Sequence, residues 1–171
     1  MSDLKSFIRS IPDFPKPGIL FRDITTLLKD SGAFKKAIED LAGQFKNKGI
    51  KKVVGIESRG FLAAAPVAYL IGAGFVPVRK KGKLPHQTAS VSYDLEYGQD
   101  TLEIHLDAIA KGEKTIIIDD LLATGGTAKA TSDLVKKVGG EVAGLGFLIE
   151  LSALKGRDKL RGANVFSLMS F

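Results

Sequence analysis

The chain has no cysteine and no tryptophan, two methionines, two histidines, and no apolar run long enough to cross a bilayer. Each absence removes a class of protein. Without cysteine there is no disulfide framework and no thiolate metal site, which fits a reducing, cytoplasmic compartment. His86 and His105 show no metal-ligand spacing, so each is expected as an isolated, exposed side chain. A membrane-spanning helix needs roughly 20 consecutive apolar residues, so no membrane role is expected. The opening MSDLKSFIRS lacks a basic segment followed by an apolar core, so no secretory leader is expected. There is no Walker A sequence. Gly144 and Gly146 lack the third glycine of a dinucleotide fingerprint, because Ile149 stands in its place. No internal repeat or low-complexity tract interrupts the chain.

What is present is an ordinary globular composition: 171 residues, 44% hydrophobic and 26% charged, enough for one domain with a real core. The formal charge is +6 and the isoelectric point about 9.5. That balance suits nucleic acid, or equally a pocket for a small polyanion.

The most informative stretch is Thr115–Ala130, TIIIDDLLATGGTAKA. Residues 115–118 are all β-branched, as in a strand buried on both faces. Asp119 and Asp120 are expected to end that strand at the sheet's carboxyl edge, where open α/β folds bind ligands. Ala123, Thr124, Gly125, Gly126 and Thr127 supply hydroxyls, close-approach glycines and an N-cap. The pattern then turns helical, with Ala130, Leu134 and Val138 on one face. Free N–H groups at such a helix start make a cradle for phosphate. The two acids would repel phosphate, so they suit sugar hydroxyls or magnesium-bound water. Read alone, a DD pair is simply a solvated turn; a buried strand, DD and TGGT in one run point to a phosphorylated sugar.

Other segments share this logic. Helical spacing predicts a short helix over 3–10 and a longer one over 31–48, closed by Gly49. The intervening IPDFPKPGILFRD, residues 11–23, holds three prolines and a glycine and reads as an ordered, irregular loop lying over something. Val53–Ile56 is a strand. Glu57, Ser58, Arg59 and Gly60 then form a second strand–turn–helix anion turn, or on a plainer reading a helix start with a surface arginine. Phe75–Val78 is the next strand, followed by the basic RKKGKLP, residues 79–85, at the same sheet edge. Thr88–Tyr97 and Leu102–Leu106 alternate with period two around a glycine turn, making an inserted hairpin and a candidate lid. Val142–Ile149 is a buried strand and Asn164–Leu168 an edge strand.

DDLLATGGT resembles the phosphoribosyl-pyrophosphate signature of the type I phosphoribosyltransferases, and within them the adenine phosphoribosyltransferases. FPKPGILFRDI, ESRG, RKKGKLP and YDLEYG extend the resemblance over nearly the whole chain. It implies a single α/β domain, residues 1–171, with a mostly parallel central sheet flanked by helices. An N-terminal hood (about 11–23) and a β-hairpin lid (about 84–102) are added to it.

The implied reaction joins adenine to 5-phosphoribosyl 1-pyrophosphate, giving AMP and pyrophosphate in purine salvage, with Mg2+ held mainly by substrate. The resemblance assigns Ala123–Thr127 to the 5′-phosphate and Asp119 and Asp120 to the sugar hydroxyls. Glu57, Ser58, Arg59, Arg79, Lys80 and Lys83 fall to pyrophosphate, with a cis bond at Glu57–Ser58 and Arg79 crossing to a partner subunit. Main-chain groups of Leu20 and Arg22, flanking Phe21, would bind adenine. Glu96 is the acidic catalytic residue of the lid, beside Tyr97. A homodimer is implied. Competing readings are a relative specific for guanine or xanthine, a sugar-phosphate-sensing regulator of nucleic acid, and a plain nucleotide-binding module. Nucleic acid fits poorly, since 171 residues leave no room for a DNA-binding domain beside hood and lid.

Overall fold

The computed structural model describes residues 3–94 and 98–171. Its centre is a seven-stranded sheet in the order β5-β6-β4-β3-β7-β8-β9. β3 (Lys52–Ile56), β4 (Gly74–Lys80), β7 (Lys114–Leu122), β8 (Glu141–Glu150) and β9 (Val165–Ser170) run parallel. β5 (Thr88–Asp94) and β6 (Gln99–His105) form an antiparallel hairpin, which joins β4 through Arg79 and Lys80.

Alternation explains why β3 and β7 read as unbroken apolar runs. Val53, Ile116 and Ile118 pack toward one face with α2 (Ser31–Gly43) and α3 (Gly60–Ile71). Val54 and Ile117 pack toward the other with α4 (Gly126–Lys137) and the hairpin. With both faces covered, every position of a central parallel strand is core.

The N-terminal region differs from its sequence reading. Only Leu4–Phe7 is helical, as one 3-10 turn capped by Asp3. Residues 8–10 leave it, and β1 (Arg9–Ile11) pairs with β2 (Phe21–Asp23). The supposed irregular loop therefore has both ends zipped, because Arg9 reaches the Asp23 carboxylate and Arg22 the Ser10 hydroxyl. A four-residue α1 (Thr25–Leu28) follows.

Other boundaries also move. α2 stops at Gly43, with further turns before the left-handed Gly49. β7 continues through both acids to Leu122 rather than ending at them. The hairpin is no detached insertion: Ala89, Leu102 and Ile104 are buried in the core, whereas Leu106 is exposed. Leu95, Glu96 and Tyr97 at its tip lie outside the described residues. Among the described residues, no helix is long and apolar enough to cross a membrane.

Candidate active site

β4, β3 and β7 are neighbours in the sheet, so their carboxyl ends lie side by side at the spacing of paired strands, about 4.8 Å. All three proposed anion-binding segments follow from those ends. A cavity of about 580 Å³ opens there, lined among others by Phe21, Glu57, Ser58, Arg59, Lys80, Asp119, Asp120 and Thr127. A smaller one of about 80 Å³ is lined by Asp119 and Leu121–Ala128. The two share Asp119 and Thr127. Arg59 and the 123–127 turn therefore border neighbouring cavities on the same sheet edge, which meet at two residues.

The smaller cavity is built from backbone. Gly125 is the N-cap of α4 at φ 80°, with no side chain capping the helix. The expected hydroxyl cap is absent, and the leading N–H groups of α4 are left for a ligand. Gly125 is required twice over: its φ is left-handed, and a Cβ would run into the Gly156 carbonyl. Gly156 is closed in turn by the Ala123 carbonyl. Thr127 Oγ1 donates to the Tyr93 hydroxyl at 3.2 Å, tying the cradle to the hairpin.

The larger cavity is built from charge. Arg59 Nη2 lies 2.7 Å from Asp120 Oδ2, yet that oxygen, in a side chain 7% exposed as a residue, makes no hydrogen bond of sound angle. Its charge is met by Arg59, and it becomes open to another donor once that guanidinium moves away. Burial raises the Asp120 carboxyl above its ordinary range, against the pull of Arg59. Asp119 is pushed well above it, first by burial and then by the charge of Asp120. Asp119 Oδ1 accepts from the Asp120 N–H at 2.9 Å and lies where a Cβ on Gly60 would fall. That contact is the reason position 60 is glycine.

Glu57 is the hub of the basic side. It accepts from Lys83 Nζ at 2.5 Å, the Lys80 N–H at 3.1 Å and Arg79 Nη2 at 3.3 Å. Burial alone would raise its pKa; those donors outweigh burial and hold it at about 2. The Glu57–Ser58 bond is cis, as expected. Arg79 is turned onto its own chain, toward Glu57 and the Lys83 carbonyl, rather than outward. Lys83 contacts Glu57 without lining the cavity; Lys80 lines it and pairs with Asp100 at 3.1 Å.

Of the three hood residues, only Phe21 lines the cavity, with the Arg59 guanidinium 5.2 Å from its ring centre. Leu20 is exposed, and Arg22 stacks 4.2 Å over the Phe171 ring. Glu96 and Tyr97 lie outside the described residues. Sequence reasoning missed Asp100, Tyr93 and Gly156. The first read as part of the hairpin's glycine turn and the second as one residue on a face of its alternating strand. The third had no local signal, because its role is contact with a glycine 31 positions earlier in the chain. Of the two histidines expected to be exposed, His86 is and His105 is not. His105 is half-buried, and its ring centre is 6.2 Å from that of the exposed His86.

Comparison with known proteins agrees with this geometry. A phosphoribosyl transferase domain model matches residues 25–167. An adenine phosphoribosyltransferase of Solibacter usitatus is 57% identical over 171 residues, which is 100% of this chain and 99% of that one. The chain belongs to the adenine phosphoribosyltransferase family. The adenine phosphoribosyltransferase of Thermoanaerobacter pseudethanolicus superposes with a TM-score of 0.95 at 53% identity, covering 98% of each chain. The Saccharomyces cerevisiae member gives 0.91 at 43% identity over 96% of each chain. That structure is complexed with D-2,5-dideoxy-2,5-imino-altritol 1,6-bisphosphate and adenine.

Proposed function

We infer that this chain transfers the 5-phosphoribosyl group of 5-phosphoribosyl 1-pyrophosphate to adenine, releasing AMP and pyrophosphate in purine salvage. The observation that carries the reading is the adjacency of the two cavities, which share Asp119 and Thr127 in their walls. A sugar with phosphate at one end and pyrophosphate at the other needs two anion seats with hydroxyl acceptors between them.

The 5′-phosphate sits on the N–H groups of residues 123–127. Asp119 and Asp120 accept from the 2′ and 3′ hydroxyls and lie near the positive charge that develops at C1 as the glycosidic bond loosens. Arg59, Lys80 and Lys83 offset the charge that gathers on departing pyrophosphate, with Arg79 and the Glu57–Ser58 turn shaping that seat. Arg59 leaves Asp120 for pyrophosphate, and Asp120 Oδ2 then takes a hydroxyl. Adenine lies against Phe21 under the 11–23 hood, its edge read by the main chain of Leu20 and Arg22. The 84–102 lid closes over it and excludes water. Glu96 orients adenine or takes its proton; an unchanged single-turnover rate in Glu96→Gln would remove it from the mechanism.

Magnesium fits the donor set, since it is commonly held by one or two carboxylates plus substrate phosphates. Among the described residues no group of three or more His, Cys, Asp or Glu forms a protein cage for it. When bound, it neutralises charge on the pyrophosphate leaving group. The chain works as a cytoplasmic homodimer. An apolar face on α3, with Leu62, Leu70 and the 85%-exposed Tyr69, supports the dimer, because exposed patches of that kind mark interaction surfaces.

Pyrophosphate release measured with adenine, guanine, xanthine and no base tests the reading. Release with adenine alone is expected. Release with guanine or xanthine in its place would reassign the base, and none with any base would end the assignment.

A further inference from the structure

We propose that Arg157 is a positioning residue for the phosphate cradle: its two-pronged pairing with Glu150 holds the Gly156 peptide against Gly125. The role rests on the reading of residues 123–127 as the seat of the 5′-phosphate.

The cradle has little side-chain support of its own. Gly125 takes a left-handed φ, and no side chain caps α4. What lies against it is backbone from 31 positions later in the chain. A Cβ on Gly125 would meet the Gly156 carbonyl, and a Cβ on Gly156 would meet the Ala123 carbonyl and the Leu122 side chain. Close-packed interiors pass strain on rather than absorb it, so a shift of Gly156 becomes a shift of the cradle.

Gly156 opens a 3-10 turn, Gly156–Leu160, entered through Lys155 at a left-handed φ of 51°. Such turns have poor hydrogen-bond geometry, and a non-glycine residue at that φ is held there only by its surroundings. Arg157 supplies the hold. Its Nε and Nη2 each donate to one Glu150 oxygen at 2.8 Å, and its Nη1 donates to the Val165 carbonyl at 2.9 Å. Glu150 ends β8 and Val165 begins β9, so one guanidinium joins the turn to two neighbouring strands. A two-pronged fork fixes direction as well as distance. Glu150 is buried, and Arg157 holds its carboxyl below the ordinary range. Arg157 lines neither active-site cavity, so it acts through Gly156 and not on substrate.

Calorimetric titration of the full chain with ribose 5-phosphate and, separately, with pyrophosphate tests the role, beside steady-state kinetics. Arg157→Met should weaken ribose 5-phosphate about tenfold and raise the KM for phosphoribosyl pyrophosphate in step, less than the roughly hundredfold cost of a full 1 Å misplacement. Pyrophosphate affinity and the KM for adenine should hold, and kcat should change by less than the KM. Arg157→Lys keeps the charge without the fork, so it should show the same pattern; it also serves where Arg157→Met does not fold. Arg161→Ala removes one positive charge just after the same turn and should leave every constant unchanged. Unaltered ribose 5-phosphate affinity in both Arg157 variants, an equal loss of both ligands, or an equal loss in Arg161→Ala would overturn the role. A wild-type chain that binds no ribose 5-phosphate would instead end the assignment of the seat, and the role with it.

Discussion

The two anion turns at the sheet edge are built in opposite ways. The turn after β7 holds its ligand with peptide groups: no side chain caps α4, and its shape is fixed by glycine against glycine. The turn after β3 works with charges that are already paired, Arg59 with Asp120 and Glu57 with Lys83 and Arg79. A seat made of backbone is ready before substrate arrives and suits a group that stays put through the reaction. A seat made of exchangeable ion pairs can trade internal partners for substrate, which suits the group that leaves.

Replacing one charge on the exchangeable side should have the largest effect. Asp120→Asn is expected to lower kcat by about a hundredfold to a thousandfold, the range for losing one preorganised electrostatic contact. The KM for phosphoribosyl pyrophosphate should change little. Equal losses in kcat and in affinity for ribose 5-phosphate would mean that Asp120 serves binding, and the contrast between the turns would fail.

Gly125→Ala attacks the fixed side. A left-handed φ and a blocked Cβ should displace the cradle and cut kcat/KM by about a hundredfold, the cost of roughly 1 Å of misplacement. Affinity for ribose 5-phosphate should fall while pyrophosphate affinity holds.

A pH series reads the turn after β3 through stability. Glu57 is held at about 2, as is Asp23, where the Thr25 N–H and Arg9 stabilise the carboxylate. A carboxyl with a lowered pKa in the folded state adds stability above its ordinary value, lost as pH falls toward the folded one. The unfolding temperature should therefore drop between the ordinary carboxylate range and pH 2. Glu57→Gln should make that drop shallower and leave the Asp23 share.

The smallest effect is expected from Tyr93→Phe, which removes the hydroxyl that accepts from Thr127. One neutral hydrogen bond contributes about 1 kcal/mol, so a change of a few-fold in KM, with kcat intact, is the outcome to look for.

Much of this was legible in the chain because it is written locally. The β-branched run of β7, the acids, the glycine turn and the ESRG turn each sit within a few residues of one another. Strand adjacency then does the rest. The parts that were not legible depend on distant pairing. Residues 11–23 looked irregular because three prolines mask two short strands held by Arg9–Asp23 and Arg22–Ser10. The hairpin looked like an insertion because its join to β4 involves only Arg79 and Lys80. Asp100 looked like a turn residue until Lys80 was found against it.

The strut under Gly125 has a consequence for how the protein comes into being. A nascent chain reaching only to Val138 already contains the whole 115–130 signature, yet it lacks Gly156, whose carbonyl fills the space beside Gly125. Grafting the signature alone onto another sheet would carry over its letters without their support.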